Sequence, residues 1–491
     1  MEDLDDLLGD MMEEKPKKRR GRPPKKAQEE KPKAKAPETK EEDNAGRPTA
    51  VTSARRKGSM HDPRKLTKKG QESLRKKWSS TAGSGSRHDM MASLVSAARD
   101  KFGVNRVFAS HDELAQLSIG IPMPSLAMEY VMANDIFPLG SVVMLAGSWG
   151  AGKSTLSYEI FRWFYELTGI TFHVDTETKF DYEWCCDVMR IPKDIRESDY
   201  TPIISSRADS LEQMQSMTTH YLKSAQKILV GTKDAPGPGK SVPCCFAIDS
   251  LAAAASEELQ EKILKEGYAN RAHPINALKN THYLQSIKKQ FDGWPFTLLV
   301  VNHMKEKMDD MGNKQQYTLG GQSYNFHESF ELRVSNWKRK INTASFSGIG
   351  VRIECAKNSF GPTGRRIRTR LLNWFETNPE TGETERMVVW DWNWAICTLL
   401  NEVTGQEKTR LKERGIDIKC KSPSADVECL ANLTALGMGK DEYLPFTDVG
   451  QMIHENTEVS EAIRDALNIQ RRHHLDRPYD EIVEEHVKGI K

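Results

Sequence analysis

Short apolar, β-branched runs alternate with segments of helical spacing through the middle of the chain. Ser141-Val142-Val143-Met144-Leu145-Ala146 reads as a buried strand. Leu156 to Leu167 follows, with Leu156, Ile160, Trp163 and Phe164 on one helical face. Thr171 to Val174, Pro202 to Ile204, Cys244 to Ile248 and Phe296 to Val301 are further strands, and Ser210 to Ile228 is a long helix. Repeated strand–helix alternation predicts an α/β fold with a mostly parallel sheet. After Arg333 the pattern changes. Glu331 to Arg339, Gly350 to Ala356 and Ile367 to Trp374 alternate apolar and charged residues, which predicts antiparallel edge strands. Met387 to Trp390 adds a short strand and Asp391 to Leu400 a helix.

The two ends of the chain differ from this middle. Met1 to about His88 is rich in Lys, Glu, Pro, Ala and Ser, lacks the apolar content for a core, and is expected to be a disordered charged tail. Residues 89–125 read as an N-terminal helix (Met90 to Phe102) and linker, 126–403 as the α/β core, and 404–491 as a small helix-rich C-terminal region. The 491 residues therefore divide into more than one unit. A formal net charge of +2 hides an acidic start and a strongly basic stretch from Lys15 to Lys40, so local patches decide which partners fit. The eight cysteines show no zinc spacing, and reduced thiols are expected. No apolar run approaches spanning length and no signal-peptide core is visible, so a soluble, cytoplasmic protein with no membrane partner is expected.

The chemistry starts from Gly147-Ser148-Trp149-Gly150-Ala151-Gly152-Lys153-Ser154-Thr155, which meets every fixed position of G-x-x-x-x-G-K-[ST] between a strand and a helix. Such a loop turns backbone N–H groups and a helix N-terminus toward phosphates. Lys153 would reach the β- and γ-phosphates of ATP, and the Ser154 hydroxyl would ligate Mg²⁺. Cys244 to Ile248 ends in Asp249-Ser250, a strand-end carboxylate of the kind that holds Mg²⁺ through water. Asp175-Thr176-Glu177 and Asn302-His303 close two more strands at the edge where open α/β sheets place ligands.

A second signal lies in the tail. Lys17 to Lys26 contains Arg20-Gly21-Arg22-Pro23 and resembles an AT-hook, with Arg20 and Arg22 suited to a narrow minor groove. A generic basic arm or a nuclear localisation signal is the other reading of the same run. Leu4, Leu7, Leu8, Met11 and Met12 among acidic residues could form an amphipathic helix on a partner, or belong to a solvated tail.

The ordered set of phosphate loop, Asp-x-Glu, Ile-Asp-Ser and Val-Asn-His strand ends resembles RecA-type recombinases, and tailed-phage UvsX proteins most closely. The likeness covers roughly Met90 to Leu400, and Gly450 to His454 with Ala462 to Ala466 resembles the UvsX end. It implies a RecA-like P-loop ATPase core. The implied activity is DNA-dependent ATP hydrolysis driving strand exchange by a helical filament on single-stranded DNA, paired with double-stranded DNA. ATP and Mg²⁺ follow as cofactors, and a single-strand-binding protein and a loader as partners. Glu177 matches the catalytic glutamate that activates water, Asp249 the Mg²⁺-side aspartate, and His303 the residue that senses the γ-phosphate. Trp184 aligns with the aromatic that stacks on adenine. Lys357 matches a basic residue that reaches ATP across the subunit interface; Ser359 replaces its second partner, for which Arg365 or Arg366 could substitute. Two loops would face DNA: Ser256 to Arg271, with Lys265 and Arg271, and Met304 to Gly321, with Lys305, Lys307, Lys314 and Tyr317. A RecA-fold helicase or repair ATPase, and a non-enzymatic architectural DNA binder, are the alternative readings.

Overall fold

The computed structural model describes residues 119–475 apart from 198–202, 232–236, 238, 267–272, 292, 309–313, 319–326, 344, 378, 380–381 and 422–428, together with 96–98 and 100. The acidic start, the AT-hook-like run, most of Met90 to Phe102, Arg271 and residues 476–491 of the C-terminal region lie outside the described residues.

The described chain opens with β1 (Ile119–Pro122), α1 (Leu126–Met132) and β2 (Ile136–Pro138), then β3 (Ser141–Gly147), α2 (Lys153–Tyr165) and β4 (Ile170–Asp175). Next come α3 (Tyr182–Met189), α4 (Lys193–Arg196), β5 (Ile203–Arg207), α5 (Leu211–Val230), β6 (Cys244–Asp249), α6 (Glu257–Glu266) and α7 (His273–Phe291). Then follow β7 (Phe296–Met308), β8 (Lys314–Thr318), β9 (Phe330–Asn342), β10 (Ser347–Asn358), β11 (Arg366–Thr377), β12 (Thr384–Trp390) and α8 (Trp392–Glu402). The chain ends in α9 (Gly405–Glu413), β13 (Ile418–Lys421), β14 (Leu430–Leu433), β15 (Leu444–Pro445), α10 (Phe446–Glu455), α11 (Thr457–Ala466) and β16 (His473–His474).

The centre is a 10-stranded sheet in the order β12-β11-β10-β9-β3-β7-β6-β4-β5, with β8 paired to β7. From β9 to β5 neighbours run parallel, and from β9 to β12 antiparallel. This is the expected α/β fold: a mostly parallel sheet with antiparallel edge strands. Strand alternation feeds two cores. Val143 and Leu145 of β3 join α2, α8 and the C-terminal helices in one, while Val142, Met144 and Ala146 join α5 and α7 in the other. Leu156, Ile160, Trp163 and Phe164 of α2 are all buried, as their spacing predicts.

Three features exceed the sequence reading. The stretch before β3, for which the sequence pattern predicts no element, folds as β1, α1 and β2, and every residue of α1 is buried. The C-terminal part adds the antiparallel sheet β13-β14-β15 to its helices. It is fastened to α1 by an ion pair in which the half-buried Arg464 donates through Nε to the buried Glu129 Oε2 at 2.7 Å, and by Tyr130 donating to Glu407 Oε2 at 3.0 Å. Third, Met304 onward, expected as a loop, continues β7 as strand to Met308 and returns antiparallel through β8. Its alternating polar residues carry little apolar signal, so the strand depends on backbone pairing with β8. Among the described residues no helix is long and apolar enough to cross a membrane.

Helix α10 meets the start of α8 at Gly450, where an added Cβ would lie 2.0 Å from the Asn393 carbonyl oxygen. Gly450→Ala is expected to destabilise the fold by about 1–3 kcal/mol through overpacking, read as a lower thermal midpoint. An unchanged midpoint would show that this contact relaxes freely.

Candidate nucleotide site

Register aligns four strand ends on one edge of the sheet. Gly147 pairs level with His303, Asp175 with Asp249, and Asp249 with Val301. Side chains distant in sequence therefore converge beyond the carboxyl ends of β3, β4, β6 and β7, where open α/β sheets bind ligands.

The loop after β3 needs its glycines. A Cβ on Gly147 would sit 2.2 Å from the Val334 carbonyl oxygen, and Gly152 has φ +90° where it opens α2. Lys153 begins that helix and is buried. Its Nζ donates to the Ser148 carbonyl at 2.9 Å. Burial lowers its pKa, against the pull of the Asp249 and Glu177 carboxylates. Burial likewise pushes Asp249 up to about 6, opposed by a hydrogen bond from the Ser154 side chain and the charge of Lys153. The Asp249–Ser250 peptide is cis.

Glu177 follows β4 in a turn tied down by Asp175, whose two carboxylate oxygens accept from the backbone N–H groups of Glu177 at 2.9 Å and Phe180 at 3.0 Å. The Glu177 carboxylate is itself a hub. Oε1 accepts from the Ser250 hydroxyl at 2.5 Å and lies 2.5 Å from His303 Nε2, while Oε2 pairs with Lys179 at 2.8 Å. Burial raises its pKa, but hydrogen bonds from Lys179, Ser250 and His303 outweigh that and hold it at about 2. The group is a carboxylate at neutral pH.

A pocket of about 380 Å³ is lined by Trp149, Gly150, Ala151, Gly152, Lys153, Ser154, Thr155, Glu177, Trp184, Asp249 and His303. The structure thus brings together the phosphate-loop candidates, Glu177, Asp249, His303 and Trp184; Gly147 and Ser148 lead into the loop from β3. Trp184 sits in the first turn of α3, where its N–H caps onto Asp181 Oδ1 at 3.0 Å. The donor set suits a triphosphate with Mg²⁺. One buried carboxylate beside one hydroxyl leaves most metal positions to phosphate and water, which is how Mg²⁺ is ordinarily held. No cluster of three metal-binding side chains exists among the described residues.

Sequence reasoning missed several lining residues. Gly348, Ile349, Leu371 and Asn373, from β10 and β11, form the far wall with Lys179 at the mouth. No motif marks them, because antiparallel strands contribute single side chains. Ser250 was visible as the residue after Asp249, but its bond to Glu177 needs the fold.

The remaining candidates lie elsewhere. Lys357 does not line the pocket; it lies on β10, level with Glu331 of β9, and its Nζ donates to the Glu328 carbonyl at 2.7 Å. Arg365, one candidate for the missing second basic residue, is engaged by the Tyr130 and Leu467 carbonyls, whereas Arg366 is exposed. Lys265 is exposed on α6 beside Glu261, in a segment expected as a loop. Lys305 is exposed on β7, two residues past His303. Lys307, Lys314 and Tyr317 belong to the β7–β8 hairpin, Lys305 level with Tyr317.

No family model matches the chain. Curated proteins named RecA are similar to it. The one from Nocardioides sp. is 23% identical over 290 residues, 59% of this chain and 74% of that protein. Those from Kineococcus radiotolerans and Chloroflexus aurantiacus are 23% and 22% identical over 278 and 287 residues, 56% and 57% of this chain and 67% and 73% of those proteins.

The Glu177 hub has a pH signature. Its folded pKa, about 2, lies below the ordinary 4.5, so its stabilisation is full above the ordinary value and is lost as pH falls through the folded one. Glu177→Gln should therefore lower the thermal midpoint more at pH 7 than at pH 3. An equal loss at both would mean that the charge is not what the hub holds.

Proposed function

We infer, from the premise that this chain belongs to the RecA-type recombinase family, that it is a DNA-dependent ATPase that forms filaments on single-stranded DNA and exchanges strands with a homologous duplex. The observation that carries this reading is the meeting of Lys153, Ser154, Asp249, Glu177 and His303 around one pocket at the sheet edge. Bound ATP would supply the anhydride to be cleaved, and Mg²⁺ would neutralise charge on its phosphates.

The chain's own residues then divide the work. The loop N–H groups and Lys153 hold the phosphates, and Ser154 and Asp249 hold the metal. Glu177 orients water and accepts its proton at Oε1, the oxygen now bonded to Ser250 and His303. With a pKa of about 2 it is a weak base, so release of these bonds is part of activation. His303 would report the terminal phosphate; in support, it touches Glu177 and lies on the strand that continues into the hairpin. Trp184 offers an aromatic face to the base. Lys357, remote from its own pocket, serves the nucleotide of a neighbouring copy. Lys305, Lys307 and Lys314 meet DNA phosphates and Tyr317 stacks on bases, a mode that accepts any sequence. Lys265 and Arg271 add a second contact, and Arg20 and Arg22 hold nearby duplex.

The finer likeness to tailed-phage UvsX proteins rests on the strand-end motifs and the Gly450 to His454 stretch, and it would place the protein in the cytoplasm of a host cell. A single-strand-binding protein and a loader are its expected helpers.

Lys153→Ala is expected to abolish ATP turnover. Glu177→Gln should still bind ATP, turn it over about 10²–10⁴-fold more slowly, and persist as a long-lived complex with single-stranded DNA. Steady-state ATPase and filter binding measure these. Wild-type turnover by Glu177→Gln would contradict its assigned role.

A further inference from the structure

Trp184 lines the pocket, and an arginine that no sequence motif marks and that does not line it lies over the indole ring. Arg386, on the edge strand β12, places its guanidinium carbon 5.0 Å from the centre of the Trp184 ring. It is aimed there by Asp187, whose Oδ2 accepts from Arg386 Nε at 2.6 Å. Asp187 is buried, and its other oxygen accepts from Arg196 Nη1 at 2.7 Å. Asp187 lies one helical turn past Trp184 on α3, so the same short helix supplies the indole and the anchor for the cation behind it. A second tie, Lys193 to Glu383 at 3.2 Å, joins α4 to the residue preceding β12.

We propose that Arg386 is a positioning residue for the nucleobase: it backs the Trp184 indole from outside the pocket and fixes it as the platform on which the base stacks. This rests on the reading of Trp184 as the base-stacking residue. The physical reasons are two. A planar guanidinium attracted to one face of an indole resists rotation of the ring, because turning it would break both the cation–π contact and the alignment set by Asp187. A ring already fixed loses little freedom when a base arrives, so more of the stacking energy appears as affinity. The result is a layered stack of Arg386, Trp184 and base, in which Arg386 never touches the nucleotide.

The test separates base from phosphate recognition in the full-length protein. Affinities for Mg·ATP and for inorganic tripolyphosphate, which has no base, are measured by titration calorimetry for wild type, Arg386→Ala and Trp184→Ala, with thermal midpoints as a folding check. Arg386→Ala is expected to weaken ATP about 3- to 10-fold and to leave tripolyphosphate unchanged. Equal weakening of both ligands, or of neither, overturns the proposal, since a merely structural clamp would not distinguish them. Trp184→Ala decides the underlying reading separately. If it too spares ATP relative to tripolyphosphate, Trp184 is not the platform; if it weakens ATP selectively while Arg386→Ala does not, only the role of Arg386 fails. Should Arg386→Ala not fold, Arg386→Gln, which can still hydrogen-bond Asp187 but carries no charge, replaces it with the same expected selectivity and the same overturning results.

Discussion

A lysine ammonium, buried within reach of two carboxylates at the ends of parallel strands, is the constraint on which the rest of this structure depends. Lys153 is 6% exposed. A charge so placed is costly unless paired and hydrogen-bonded. Asp249, Glu177 and the Ser148 carbonyl offset part of that cost, and each comes from a different point along the chain. Only a parallel sheet that brings the ends of β3, β4 and β6 to one level can supply them together. The two apolar cores on either face of the sheet hold that level fixed, so packing far from the pocket sets its geometry.

The same architecture links the pocket to the proposed DNA surface. His303 lies on β7, level with Gly147, and touches Glu177. The strand runs without interruption from the core through His303 to Met308 before it turns back as β8. A shift of His303 on changing the charge near Glu177 would therefore be felt by Lys305 and by the hairpin beyond. The proposed coupling needs no separate relay, because one strand carries both His303 and Lys305. On the opposite side, the antiparallel strands β10 and β11 wall the pocket, and β12 brings Arg386 against Trp184. In the proposed reading, one half of the sheet would handle phosphate and the other the base.

Much of this was legible in the sequence, for identifiable reasons. The strand Ser141 to Ala146 and the face of Leu156, Ile160, Trp163 and Phe164 have strong periodicity, and the phosphate loop has fixed spacing between them. The strand ends at Asp175-Thr176-Glu177, Asp249 and Asn302-His303 could be located because apolar runs stop there, and the resemblance to RecA-type proteins singled out Glu177, Asp249 and His303 among them. What escaped was held by pairing or by three-dimensional contact. The β7–β8 hairpin is polar and reads as a loop; α1 is too short to show a period; Ser250, Asn373 and Arg386 carry no motif. Lys357 could be named from the likeness to RecA-type proteins, but its distance from the pocket of its own chain appears only in the fold.

The account turns on the terminal phosphate setting the grip on DNA through the strand that carries His303. The most direct measurement is the affinity for labelled single-stranded DNA by fluorescence anisotropy, with Mg²⁺ and a non-hydrolysable ATP analogue, with ADP, and without nucleotide. The account predicts tight binding with the analogue, weaker binding by about tenfold or more in the other two states, and loss of that difference in His303→Ala. Equal binding in all three states by the wild-type protein would contradict it.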